Sequence, residues 1–396
     1  MSRFDPTAPG ARLPRLLPVI LGMLAAFGPL AIDMYLPALP EMAASLGGDA
    51  AAAQQTVAAY FLGVASGQML YGPLTDRFGR RGPLLAGVGL FVLASLACAA
   101  AAGMGQMVLL RFLQALGGCA GMVVARAVVR DLAHLADPVR LMGRLMLVMG
   151  LAPILAPLIG SILAAAFGWR AIFLALAGFG GLALLLVLLH LPETHAAAAR
   201  IRRSPREVLA DYAALAADRR FLAPALAGGG AMAGMFAYIA GSPAVFMGGY
   251  GLSAGGYAVL FGLNAAAVIG GSQLAGPLAQ RLGRPRLFGR LILGMLGVAL
   301  LQVGLLAAGG GLAAQFLCLF AFLGLLGMLL PLASAMALQP FPRLAGTASA
   351  LLGTLQFGLG GVAGAVLGPL QDGSGQPLAW VLLACLLLSA LAWLRR

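Results

Sequence analysis

The chain has 396 residues, 61% of them hydrophobic and only 9% charged, and a mean hydropathy of +0.98, which excludes a protein whose surface lies mostly in water. Its formal charge of +13 rests on arginine alone, since no lysine occurs. The arginines fall between long apolar runs and no aromatic residues interleave with them as a stacking module, which excludes nucleic-acid recognition.

Apolar runs lie near 16–38, 52–74, 83–102, 106–127, 141–166, 170–190, 221–247, 254–279, 287–308, 312–337, 345–369 and 377–394. Most exceed the roughly 18 residues that cross a bilayer. They are too long and too uniformly apolar for barrel strands, so the expected fold is an all-α membrane protein of twelve transmembrane helices. The first run is expected to be a retained helix and not a cleaved leader, because it contains Asp33 and ends in Pro37 and Pro40.

The segment Gly72-Pro73-Leu74-Thr75-Asp76-Arg77-Phe78-Gly79-Arg80-Arg81 recurs 204 residues later as Gly276-Pro277-Leu278-Ala279-Gln280-Arg281-Leu282-Gly283-Arg284-Pro285. At the same offset Arg111-Phe112-Leu113 falls on Gln315-Phe316-Leu317, and Gly160 falls on Gly364. A repeat at half the chain length predicts two six-helix halves, 1–190 and 221–396, related by a pseudo-two-fold axis. The polar segment 191–220 is then their cytoplasmic linker.

All of the 25 arginines except Arg111 and Arg170 can be assigned to one face, and the positive-inside rule makes that face cytoplasmic. It takes in Arg3, Arg12, Arg15, Arg126, Arg130, Arg140, Arg144, Arg200, Arg202, Arg203 and Arg396 among others. An even number of crossings puts both termini there. The cysteines Cys98, Cys119, Cys318 and Cys385 each stand alone in an apolar run, which predicts packing roles and neither a disulfide framework nor a metal site.

Asp33 is the one acid well inside an apolar run, where a charge costs on the order of 3 kcal/mol. It lies roughly 8 Å from the outer end of its helix, and Arg111 roughly 8 Å from the outer end of the fourth. A buried carboxylate that moves relative to an arginine can take up and release a proton, which makes this pair the expected coupling device. A permanent ion pair between the first and fourth helices is the structural alternative.

Between the second and third helices, Gly72 and Gly79 permit a tight turn, and Asp76, Arg77, Arg80 and Arg81 can pair with helix ends and with acids such as Asp131. In the fifth run, Gly150, Pro153, Pro157 and Gly160 predict a bent helix that packs closely on a neighbour. An apolar cargo cavity with a few hydrogen-bonding groups is expected from Met232, Met235, Phe236 and Tyr238 together with Tyr35, Gln114, Asn264, Gln315 and Gln356. With no second intramembrane carboxylate, neutral or zwitterionic cargo is expected.

These segments occur in a recognisable order: Asp33-Met34-Tyr35-Leu36-Pro37-Ala38-Leu39-Pro40, the signature from Gly72, Arg111-x-x-Gln114, Arg126-Ala127-Val128-Val129-Arg130-Asp131, Ala156-Pro157-Leu158-Ile159-Gly160, Trp169-Arg170-x-x-Phe173, Leu191-Pro192-Glu193-Thr194 and Tyr238-Ile239-Ala240-Gly241-Ser242-Pro243. The chain resembles the bicyclomycin-resistance (Bcr/CflA) type of drug:proton antiporter in the major facilitator superfamily. The resemblance implies a central cavity lined by helices 1, 4, 7 and 10 and a cytoplasmic gate built from the Gly72–Arg81 signature with Arg130 and Asp131. It also implies an antiporter motif in helix 5, export driven by the proton gradient with no cofactor, and a monomer in the bacterial inner membrane. Gln280, Pro285 and Ser161 depart from the pattern. An uptake symporter and a non-transporting receptor or scaffold remain alternatives. A membrane enzyme is not expected, because His134, His190 and His195 lie at the cytoplasmic edge and no H-E-x-x-H or G-x-S-G occurs.

Overall fold

A computed structural model describes residues 16–132, 138–195 and 204–395 as helices joined by short connections, with no strand among them. The expected placements of Arg3, Arg12, Arg15, His134, Arg200, Arg202, Arg203 and Arg396 lie outside these residues, as do those of the Arg140 and Arg144 side chains. The first half comprises α1 (Leu17–Asp33), α2 (Leu39–Ser45), α3 (Ala50–Phe78), α4 (Arg81–Ala99), α5 (Met104–Asp131), α6 (Pro138–Phe167) and α7 (Arg170–His190). A connecting helix α8 (Pro205–Ala217) leads to α9 (Arg219–Pro243), α10 (Ala254–Leu282), α11 (Arg284–Ala307), α12 (Leu312–Leu338), α13 (Ala345–Leu370) and α14 (Gln376–Leu394).

Eleven spans among the described residues are long and apolar enough to cross a membrane. The expected twelfth is α3, which has 29 residues but carries more polar ones. Its Gln54, Thr56, Gln68 and Thr75 are buried, because α3 packs between α5 and α13. Elsewhere Leu93, Ile162, Phe167 and Leu293 stand exposed on outward faces, as a lipid-facing surface requires.

The first span differs from its expected form. It extends from Leu17 to Ser45 and is broken where α1 gives way to a 3-10 turn at Leu36–Ala38. Prolines lack the N–H that closes the i to i−4 bond, so Pro37 leaves the Asp33 carbonyl without its helical donor and Pro40 does the same to Leu36. Asp33 therefore ends a half-helix, where the sequence alone places it inside a continuous one.

The two halves repeat each other closely. α3 and α10 are both 29 residues long, and both ends are related by the 204-residue offset. Each stops at a glycine with positive φ, 88° at Gly79 and 77° at Gly283, a backbone conformation that side chains disfavour. This is why both signature copies keep that glycine.

Two seams join the halves, α3 along α13 and α6 along α10. In the first, the Thr354 hydroxyl donates to the Ala65 carbonyl at 3.1 Å. Phe236 stacks there between Phe61 and Phe357, with ring centroids 4.1 and 4.9 Å away. Lipid offers helices no hydrophobic drive to associate, so such close packing and hydrogen bonding hold the seams.

Ser204 and Glu207 form a capping box at the start of α8. The Tyr212 hydroxyl donates to the Met69 carbonyl at 3.3 Å, tying the connector to α3. Burial pushes the Tyr212 phenol up to about 12, and the nearby Asp76 charge adds to the effect. The helix of the second half starts at Arg219, two residues ahead of the expected 221, because Asp218 caps it by accepting from the Arg220 N–H at 2.8 Å.

Candidate functional site

The polar centre of the first half is built on α5, which presents Arg111 and Gln114 one turn apart to α1, α3 and α4. Arg111 is fully buried. Its guanidinium lies over the Tyr35 ring at 4.1 Å and the Tyr60 ring at 4.4 Å, with Phe173 at 5.8 Å. One terminal nitrogen donates to the Ala31 carbonyl at 2.8 Å and the other to Gln114 Oε1. Gln114 in turn donates to Ser95 Oγ at 2.8 Å, and the Tyr35 hydroxyl bonds Thr56 at 3.1 Å.

Asp33 is buried close by, yet among the described residues no ion pair joins it to Arg111. The permanent-pair alternative is corrected accordingly. Arg111 instead binds the backbone two residues before Asp33, and Tyr60 lies within electrostatic range of both charges. Tyr238 and Tyr257, from the second half, are also within range of the Asp33 carboxylate.

α6 closes on this break. Gly160 meets the Met34 carbonyl with no space for a Cβ between them. Along the same helix, a Cβ at Gly150 would lie 3.5 Å from the Ile269 side chain of α10. The motif of Gly150, Pro153, Pro157 and Gly160 thus sits where α6 touches both the first span and the opposite half.

At the α3–α4 connection, Arg80 is the hub. It donates from Nε to Asp131 at 2.9 Å and from Nη1 to Asp76 at 2.6 Å and Thr75 at 3.1 Å. Burial opposes its charge, but the bonds to Asp131 and Asp76 outweigh burial and hold the guanidinium protonated. Glu193 accepts from the backbone N–H groups of Arg80 and Arg81, at 2.8 and 3.2 Å, at the start of α4. Thr194 donates to Asp131 at 3.2 Å, and Arg81 reaches the Leu188 carbonyl at 2.7 Å. Arg77 stacks on Phe78, and Arg130 is exposed. All these bonds lie within the first half and the start of the linker that follows it. In this conformation these bonds brace α3, α4, α5 and the segment after α7, and none of them reaches the second half, where the gate expectation places a bridge.

A cavity of about 300 Å³ opens between the halves on the side of this connection. Its walls include Gln68, Met122, Arg126, Met149, Met232, Gln356 and Phe357. Of the nine expected cargo contacts, Met232 and Gln356 line it. Tyr35 and Gln114 serve Arg111 instead, and Phe236 is fixed in the aromatic seam. Tyr238 accepts from Asn264 at 2.9 Å, Gln315 accepts from Gln302 at 3.2 Å, and Met235 packs against the core.

Sequence reasoning missed Arg126 as a cavity residue, Tyr60 and Ser95 as supports of Arg111, and Glu193 and Thr194 as partners of the α3–α4 connection. A signal for Arg126 existed: fifteen residues beyond Arg111, it falls within about 60° of the same helix face.

Two related helical halves, packed along two seams around a cavity and holding one carboxylate in an apolar interior, define a multi-pass membrane transporter. The chain belongs to the Major Facilitator Superfamily, whose family model matches residues 21–365. It is 37% identical to the uncharacterized MFS-type transporter YdgK of Bacillus subtilis, over 87% of this chain and 86% of that one. It is 30% identical to a bicyclomycin resistance protein homolog of Haemophilus influenzae, over 94% of each chain, which places it with the bicyclomycin-resistance type. Among solved structures, a D-xylose-proton symporter shares the fold with a TM-score of 0.71 at 18% identity, covering 96% of this chain and 95% of that one.

Proposed function

We propose that this protein exports small drugs or metabolites across the bacterial inner membrane in exchange for protons, by alternating access. The observation that carries the reading is the setting of Asp33. It is an acid buried at a helix break, and the turn that follows it is packed by α6 of its own half and α10 of the other. Rocking one half against the other changes the surroundings of that carboxylate, and this is what coupling a proton to a conformational cycle needs.

Export is supported by the resistance named in the Haemophilus relative. The arginine-rich face supports a cytoplasmic side that holds both termini and the mouth of the cavity. The protein works as a monomer, draws on the proton gradient without a cofactor, and moves its cargo unchanged instead of catalysing a reaction. A substrate panel in everted membrane vesicles tests this. Accumulation that collapses on adding an uncoupler is expected, whereas accumulation indifferent to the uncoupler contradicts proton coupling.

A further inference from the structure

Among the first-half arginines whose side chains are described, three lie inward of the helix ends or in buried clusters, and two of them have both terminal nitrogens bonded. Arg80 is held by Asp76 and Asp131, and Arg111 by two tyrosine rings, Gln114 and the Ala31 carbonyl. Arg126 has neither arrangement. Its Nε donates to the Met122 carbonyl at 3.2 Å, one turn back on α5, which fixes the stem. Among the described residues no carboxylate pairs with it, and its two terminal nitrogens bond none of their groups.

Among the described residues, Arg126 is also the one charged side chain on the wall of the 300 Å³ cavity. It sits five residues inside the end of α5 at Asp131, about 7.5 Å along the axis, farther in than a charge that merely fixes topology needs to be. The surrounding wall is soft and apolar, from Met122, Met149, Met232 and Phe357, with the amides of Gln68 and Gln356 beside it. A guanidinium with no counter-charge among the described residues is unfavourable in such a place until one arrives.

We propose that Arg126 is the anion-recognition point of the cargo site, and that the cargo class is a small amphiphilic organic monoanion. The guanidinium fork takes a carboxylate in two parallel hydrogen bonds, the methionines and Phe357 take the apolar body, and Gln68 and Gln356 take further polar groups. This rests on the transport reading and narrows it, replacing the neutral or zwitterionic cargo expected from sequence. Asp33 does not line this cavity, so proton and anion occupy separate places.

The test is equilibrium binding to the purified full chain in detergent, without any gradient, using the isosteric probes 2-naphthoxyacetate and 2-naphthoxyacetamide. The wild type is expected to bind the carboxylate about ten-fold more tightly than the amide. Arg126→Gln erases the preference, and Arg126→Lys keeps part of it. Equal binding of the two probes, no measurable binding of either, or a preference that survives Arg126→Gln overturns the proposal. If a thermal melt shows Arg126→Gln unfolded, Met122→Glu supplies an internal carboxylate one turn away with the arginine kept. Loss of the preference is then expected, and its persistence overturns the proposal. Failed export in vesicles alongside an intact preference refutes only the transport reading, while equal binding alongside intact export refutes only the anion site.

Discussion

Gly160 of α6 lies against the Met34 carbonyl at the break of the first span, and no side chain fits between them. Any added atom must push α6 away from the residue that follows Asp33. Gly160→Ala is therefore expected to destabilise the protein by about 1–3 kcal/mol and to slow transport. Gly150→Ala, whose new methyl would meet, among the described residues, only the Ile269 side chain at 3.5 Å, is expected to stay within about 0.5 kcal/mol of wild type. Thermal unfolding in detergent, with vesicle transport alongside, checks both.

Arg111 is held as a planar fork between two rings, and lysine cannot reproduce that geometry. Arg111→Lys is expected to lose about 2–3 kcal/mol, although the charge is kept. Gln114→Ala, which leaves one Arg111 nitrogen without its acceptor and Ser95 Oγ with only its bond to the Phe91 carbonyl, should lose about 1–2 kcal/mol. Unfolding midpoints of the two variants equal to wild type would contradict the arrangement.

Arg80 and Arg77 belong to the same signature but do different things. Arg80→Ala leaves Asp76 and Asp131 without their shared counter-charge, and a loss of about 2 kcal/mol is expected. The half-exposure of Asp76 keeps it below the loss for a fully buried pair. Arg77→Ala gives up only a surface stacking on Phe78 and should stay within about 0.5 kcal/mol.

These contrasts bear on how much the sequence reveals. The duplication was legible because Gly79 and Gly283 each need the same unusual backbone, and that need preserves the letter. Asp33 was legible because one acid in an apolar run stands out against its neighbours. The break beside it was not, since Pro37 and Pro40 look alike whether they end a span or interrupt one, and only the packing of α6 distinguishes the two. Arg126 passed for a topology charge because hydropathy gives depth along a helix and not the face. Tyr60 and Glu193 found their partners, Arg111 and the start of α4, 51 and 113 residues away, pairings that no local pattern encodes.

Gln54 is buried in α3 with neither atom of its amide bonded to protein, close to Gly368 of α13 where the halves meet. This seam burial is unfavourable and eases when the halves part. Gln54→Leu is expected to raise stability by about 1–2 kcal/mol while slowing turnover, because it favours the conformation in which this part of the seam is closed. A stabilised variant that transports faster would contradict this.

The central claim is that Asp33 carries the proton. One proton moving through about 100 mV releases roughly 2.3 kcal/mol, equivalent to about a fifty-fold concentration ratio. The direct measurement is uphill accumulation in everted vesicles containing Asp33→Asn protein, driven by an imposed proton gradient, with downhill exchange followed in the same vesicles. The account predicts that accumulation disappears while exchange persists. Accumulation against the gradient at the wild-type level would show that the proton travels by another route.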